Sequence, residues 1–196
     1  MSRNLLAEGL SDAVGFVGGA LLGFWAGQLL GWNIFAAGYG NDSIGGDGGS
    51  LAVTGGDEII IPVNRLGRRF DNVVMTQDWH PAGHISFASS HPGLKPFDVI
   101  GLPYGPQVLW PDHCVWDTHG AQFSKDIELP HSQMIIRKGY RKAIDSYSAF
   151  FENDHTTPTG LGGYLKERGF THVTCVGLAF DFCVRFSAED ARSLGF

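Results

Sequence analysis

An α/β fold, a mostly parallel sheet with helices on both faces, is predicted for the larger part of this 196-residue chain. Three observations carry the prediction. Past residue 57 short apolar runs alternate with stretches of helical periodicity, the pattern of strands joined by helical crossovers. Each apolar run is followed at once by residues able to do chemistry, as at the carboxyl ends of parallel strands. The composition also changes: fifteen of the 28 glycines lie in residues 1–56, where only Arg3, Glu8, Asp12, Asp42 and Asp47 are charged. The rest of the chain has the composition of an ordinary α/β protein.

The elements follow in order. From Ala13 to Asn41 no residue is charged, and glycines stand at 15, 19, 23, 27 and 31. An apolar run of that length can cross about 30 Å of hydrocarbon as a helix. Glycines at i+4 line one stripe where another helix can approach closely. A Gly-zipper apolar helix over 13–41, in a membrane or against a partner helix, is the expectation; a buried soluble helix is the plainer alternative. A lone Arg3 before a run this long argues against a signal peptide. The glycine-rich connector that follows fits neither a phosphate loop nor a dinucleotide fingerprint. Glu58–Phe70 has helical periodicity, Asn72–Thr76 reads as a buried strand, Gln133–Arg137 as a second and Val173–Gly177 as a third. Leu161–Arg168 is a helix leading into that third strand, and another helix starts at Cys183.

A formal net charge of −6 gives the chain no general attraction for nucleic-acid phosphates. Three cysteines, an odd number, suggest free thiols rather than a disulfide framework.

The strand ends carry the candidate chemistry. After NVVMT come Asp78, His80 and His84, and His113 sits in the Pro-braced WPDHC turn. Nitrogen and oxygen donors at that spacing suit Zn²⁺, Fe²⁺ or Mn²⁺; the plainer reading is a polar loop rich in Trp and Pro. After QMIIR comes Lys138, a cation that can stand beside a nucleophile or simply be solvated. After VTCVG comes Cys183 at a helix start, where the helix terminus lowers a thiol pKa and offers N–H groups to an oxyanion. Cys175 and Cys114 read as packing residues.

Together these residues resemble the nicotinamidase branch of the isochorismatase-like cysteine hydrolases. TQDWHPAGHISFASSHPG, YGPQVLWPDHCV, IRKGYRKAIDSYSAFFEND and VGLAFDFCVRFSAEDARSLGF stand in the family's order, and GGSLAVTGGDEIIIPVNRL resembles the segment after its first strand. The resemblance implies hydrolysis of nicotinamide to nicotinate and ammonia in NAD salvage, in the cytoplasm. It implies Cys183 as nucleophile with Lys138 as its cationic partner, and one divalent metal, zinc before iron or manganese, on Asp78, His80 and His113 with His84 as a further or variable ligand. Trp110 is implied as the wall for the pyridine ring, the N–H groups of Ala179 and Cys183 as the oxyanion hole, and a cis peptide at Leu178–Ala179.

Three departures from the family pattern set further expectations. Phe180 replaces a Thr before the nucleophile block. The family's first strand ends in Asp-x-Gln-x-Asp-Phe, whose leading Asp is the general base; two ways of aligning it put Gly38 or Gly40 there, with Asp42 the nearest carboxylate. Phe196 ends the sequence where the family continues through a strand and helix. The expected organisation is therefore an apolar segment and connector over 1–47, then an incomplete hydrolase domain over 48–196 lacking its first strand and C-terminal end. Hydrolysis would be impaired. The competing expectation is a catalytically dead, membrane-tethered, metal-binding remnant; a third is another substrate such as isochorismate, against which the Asp-x-His pattern argues.

Overall fold

The computed structural model describes residues 33–38, 41–44 and 49–196. Its elements are β1 (Asn33–Gly38), a single helical turn α1 (Asn41–Ile44), α2 (Ile60–Gly67), β2 (Val73–Asp78), β3 (Val99–Leu102), β4 (Gly105–Val108), β5 (Ser132–Lys138), α3 (Leu161–Glu167), β6 (His172–Gly177) and α4 (Arg185–Ser193). Four strands form one sheet in the order β5-β2-β1-β6, all parallel. The expected strands and helices lie where the sequence puts them, with ends displaced by a few residues.

The front of the chain differs from expectation. Residues 33–38 form β1, the strand between β2 and β6, with Phe35 opposite Val73 and Thr174 and Gly38 opposite Thr76 and Gly177. The helix expected over 13–41 therefore does not extend through 33–38, and the sheet does not lack its first strand. The hydrolase fold likewise takes in residues ahead of 48. The physical reason is that a central parallel strand is held by its backbone ladder and tolerates a continuous apolar run, which periodicity cannot tell from a buried helix. The i+4 glycine series ends at Gly31, before β1 begins. Of the rest of the expected helix, residues 13–32, 39 and 40 lie outside the described residues. Among the described residues no helix is long and apolar enough to cross a membrane.

The sheet is covered on both faces because successive strand residues point to opposite sides. On one side Val74, Ile136, Val173 and Cys175 pack with Phe150, Leu161, Leu165, Ala188 and Phe196, under α3 and α4. On the other, Val73, Met75 and Val176 pack with Ile60, Val63 and Leu129, under α2. Helix α2 starts later than the periodicity suggests. A 3₁₀ turn at Gly56–Ile59 precedes it, and Pro62, with no N–H to donate, sits in its first turn. The antiparallel pair β3–β4, joined across Pro103 and Tyr104, was not foreseen; it holds Gln107 fully buried.

Leu165 has no exposed surface and lies within the α3–α4 core. Its replacement by Ala is expected to cost about 2–5 kcal/mol, measured as a lowered midpoint of denaturant unfolding at unchanged slope.

Candidate active site

Parallel pairing places the site. In the β2–β5 ladder Asp78 stands opposite Lys138, so both side chains leave the sheet at the same level. Trp79 N–H donates to the Lys138 carbonyl at 3.0 Å and continues the ladder past Asp78. Beyond β6 the chain passes through a cis Leu178–Ala179 peptide, the bond the resemblance implied. It then enters a π turn, Phe180–Val184, ahead of α4. Val184 and Phe182 N–H both donate to the Ala179 carbonyl at 3.2 Å. This wide turn carries Cys183, so the helix expected from Cys183 begins as an α-helix only at Arg185.

Lys138 is the junction. It is 4% exposed, and its ammonium ion-pairs with Asp78, donates to Cys183 Sγ at 3.2 Å and to the Ser146 carbonyl at 3.3 Å. Its three donors are thereby all engaged. Burial alone would lower the Lys138 pKa, but Asp78 and Cys183 outweigh it and the pKa is raised. Burial pushes the Asp78 carboxyl up, yet the Lys138 charge and the rings of His80 and His113 hold it below the usual range. Burial also raises the Cys183 thiol, and Lys138 only partly offsets this because Asp78 and Asp145 act the other way. The depressed thiol pKa expected of a helix start is therefore not found. A cation whose charge is already matched by a carboxylate has little left for a thiolate.

Next to this pair stand three imidazoles, with ring centres of His80 and His84 4.5 Å apart and those of His80 and His113 4.8 Å apart. Hydrogen bonding distinguishes them. His80 Nδ1–H donates to the Gly139 carbonyl at 3.0 Å and His113 Nδ1–H to the Pro111 carbonyl at 2.8 Å. In both, Nε2 then carries the lone pair, the tautomer a metal ligand needs. His84 has both nitrogens engaged: Nε2–H faces the Arg141 and Ile144 carbonyls at 3.0 and 3.1 Å, and Nδ1 accepts from Ser86 Oγ at 2.7 Å. Its lone pair is spent within the protein, which sets it apart from the other sequence-derived ligands. Asp78, His80 and His113 can bring one donor atom each to within 4.8 Å of one another, and the set suits a borderline dication such as Zn²⁺. Burial pushes the His80 imidazole down to about 4, so it is neutral at pH 7.

Trp110 is clamped by the backbone, its N–H donating to Ser86 and its carbonyl accepting from Ala88, both at 2.8 Å. Its ring meets Phe182 edge-on at 4.9 Å and lies 6.2 Å from Tyr147. Phe182 and Tyr147 thus stand with Trp110 in one aromatic cluster and were missed, although Phe182 precedes Cys183 and Tyr147 lies within IRKGYRKAIDSYSAFFEND. A cavity of about 20 Å³ between Lys138, Cys183, Thr76 and Leu178 holds no more than a water.

The other carboxylates sort clearly. Asp42, the nearest to the start of the fold, accepts from Cys114 N–H at 2.7 Å and Ser50 N–H at 3.3 Å. Asp145, which sequence reading passed over, is 3% exposed and can bring an oxygen within 4.8 Å of donor atoms of His80 and His84. At the end of β1, level with Thr76 and Gly177, there is Gly38 and no carboxylate.

Fold and relatives together define an α/β hydrolase of isochorismatase-like architecture. A nicotinamidase of Acinetobacter baylyi is 60% identical over 148 residues, 76% of this chain and 69% of that protein. The nicotinamidase of Escherichia coli is 40% identical over 153 residues, 76% of this chain and 71% of its own length. This chain belongs to the nicotinamidase family. Among solved structures, a nicotinamidase/pyrazinamidase of Acinetobacter baumanii superposes with a TM-score of 0.81 at 52% identity, over 84% of this chain and 79% of that one. The yeast nicotinamidase bound to nicotinaldehyde gives 0.77 at 32% identity, over 84% and 82%. A Pyrococcus horikoshii pyrazinamidase in complex with zinc gives 0.65 at 33%, over 84% and 80%. No protein-family model matches the chain.

Two outcomes are expected. Gly139 has φ +66°, and a Cβ there would overlap the His80 ring, so Gly139→Ala should displace His80 and weaken uptake of a divalent metal at least tenfold, read by chelator competition with Zn²⁺ as the probe. In the metal-free protein an imidazole at about 4 when folded and 6.5 when unfolded contributes stability that is fully present above pH 6.5 and lost as pH falls towards 4. The unfolded chain binds the extra proton in that window, and the loss is on the order of 3 kcal/mol. His80→Gln should flatten the fall of the thermal midpoint across it.

Proposed function

We propose that this chain hydrolyses nicotinamide to nicotinate and ammonia, at a rate reduced by the glycine that ends β1. The observation that carries the reading is Lys138 Nζ standing 3.2 Å from Cys183 Sγ beside the Asp78, His80 and His113 donors. The names of the relatives support the substrate. Cys183 attacks the carboxamide carbon, and the oxygen takes up negative charge facing the N–H groups of Ala179 and Cys183. The C–N bond breaks, ammonia leaves with the proton given up by the Cys183 thiol, and water then attacks the thioester, releasing nicotinate and returning a proton to the sulfur. Trp110, with Phe182 and Tyr147, holds the pyridine ring and keeps water from its faces. A divalent metal on Asp78, His80 and His113 would supply a Lewis acid for the pyridine nitrogen, and zinc is the identity that the donor chemistry favours.

The proton of the Cys183 thiol is where this chain departs from the family pattern. The carboxylate that pairs with Lys138 is Asp78, and neither Gly38 nor Gly40 can accept a proton. Removing a general base commonly costs ~10²–10⁴-fold. Release of ammonia from nicotinamide by the purified, zinc-loaded chain tests the proposal. Slow turnover abolished by Cys183→Ser is expected, and Gly38→Asp or Gly40→Asp should raise kcat/KM by about 10² or more. Full turnover by the unaltered chain would overturn the impairment; absence of turnover in all of them would overturn the activity.

The second reading is a metal-binding protein without hydrolysis. The raised Cys183 thiol and the saturated ammonium of Lys138 favour it. It predicts stoichiometric zinc uptake, lost in His80→Ala, with no ammonia released. The membrane tether expected with it falls on residues 13–41, of which 13–32, 39 and 40 are outside the described residues.

A further inference from the structure

We infer that Asp145 is the outer carboxylate of the metal centre: it binds no metal itself but supplies the negative charge that the ligand set lacks. The inference rests on the reading of Asp78, His80 and His113 as metal ligands.

Asp145 is buried to 3% exposure in the loop between β5 and α3. Oδ1 accepts from Ser146 N–H at 2.8 Å and Oδ2 from Gln107 Nε2 at 3.1 Å. Both donors are neutral. Among the described residues no Lys or Arg forms an ion pair with it. Taking a carboxylate out of water without a counter-charge is costly, so the fold must provide one or expect one. The side chains that face Asp145 across the site are His80 and His84. His84 has both nitrogens committed to neutral partners. The direction in which a positive charge can arise is therefore His80 and whatever it binds.

The ligand set has the opposite deficit. Two of its members are imidazoles, which bring a metal no negative charge, and its one anion, Asp78, already pairs with Lys138. A dication placed there meets almost no net negative charge in its own ligands. Asp145 sits one shell further out, and among the described residues no Lys or Arg pairs with its carboxylate. It is also held in place from the other side of the site. Gln107 Nε2 reaches the Tyr147 hydroxyl at 2.9 Å, and Gln107 Oε1 accepts from Tyr104 at 3.1 Å and Asn153 at 3.2 Å. Tyr147 in turn lies against Trp110 and Phe182. Asp145 thus ties the metal ligands to the aromatic wall as a positioning residue.

The test compares the full chain with Asp145→Asn, which keeps the size and the acceptor for Ser146, and with Asp145→Ser, which removes charge and bulk together. Each is stripped with chelator, and Zn²⁺ affinity is measured by competition alongside the thermal midpoint with and without Zn²⁺. Both variants should bind Zn²⁺ about 10–100-fold more weakly, as outer partners of metal ligands commonly do. Their metal-free midpoints should be unchanged or raised, and the rise on adding Zn²⁺ should shrink. A purely structural carboxylate would lower the metal-free and Zn²⁺-loaded midpoints together, and that result overturns the inference. So does unchanged affinity in a folded variant, or failure of both variants to fold without metal. If the unaltered chain takes up no Zn²⁺, the metal centre itself is refuted and this inference with it.

Discussion

The register of β2 against β5 is the constraint on which the rest depends. It sets Asp78 opposite Lys138 at the carboxyl edge of the sheet, and the ion pair that follows fixes an ammonium in a site with almost no solvent. A slip of one residue would turn these side chains to opposite faces. With the pair in place, β1 acts as a spacer of one strand's width, so that β6 delivers Cys183 to the remaining donor of the same ammonium. Two elements that never hydrogen-bond each other in the sheet are joined through one nitrogen. The metal ligands are placed by the same edge, since His80 follows Asp78 by two residues and is anchored by the carbonyl of Gly139, next to Lys138.

That single ammonium also explains why proximity and activation part company. A lysine beside a cysteine is ordinarily read as lowering the thiol pKa. Here its charge is shared with Asp78, and burial decides the direction for Cys183. The chemistry of the site therefore turns on how one positive charge is divided between a carboxylate and a thiol.

Much of this was legible in the sequence. β2, β5 and β6 could be read from short apolar runs, and Asp78, Lys138 and Cys183 from their places just after them. The cis peptide came with the family pattern, which no local propensity signals. β1 was not legible, because NIFAAG continues an uncharged stretch whose glycine spacing dictates another reading, and only its pairing with two neighbours identifies it. His84 carries the same side chain as His80 and His113; what distinguishes it is a pair of carbonyls from residues 141 and 144, far along the chain. Asp145 was hidden for the same reason. A carboxylate in a Ser- and Tyr-rich stretch looks solvated until the β3–β4 hairpin brings Gln107 across it.

β1 separates two demands that a single strand usually meets at once. Holding β2 and β6 apart asks only for amide groups in an extended backbone, and Asn33–Gly38 supplies them up to its final glycine. Moving a proton asks for one particular side chain at its end. The first demand is read by stability, the second by turnover, and in this chain they answer to different atoms. A percentage of identity weighs every position alike, and so does not separate the positions that hold a ladder together from the one on which a proton transfer would depend.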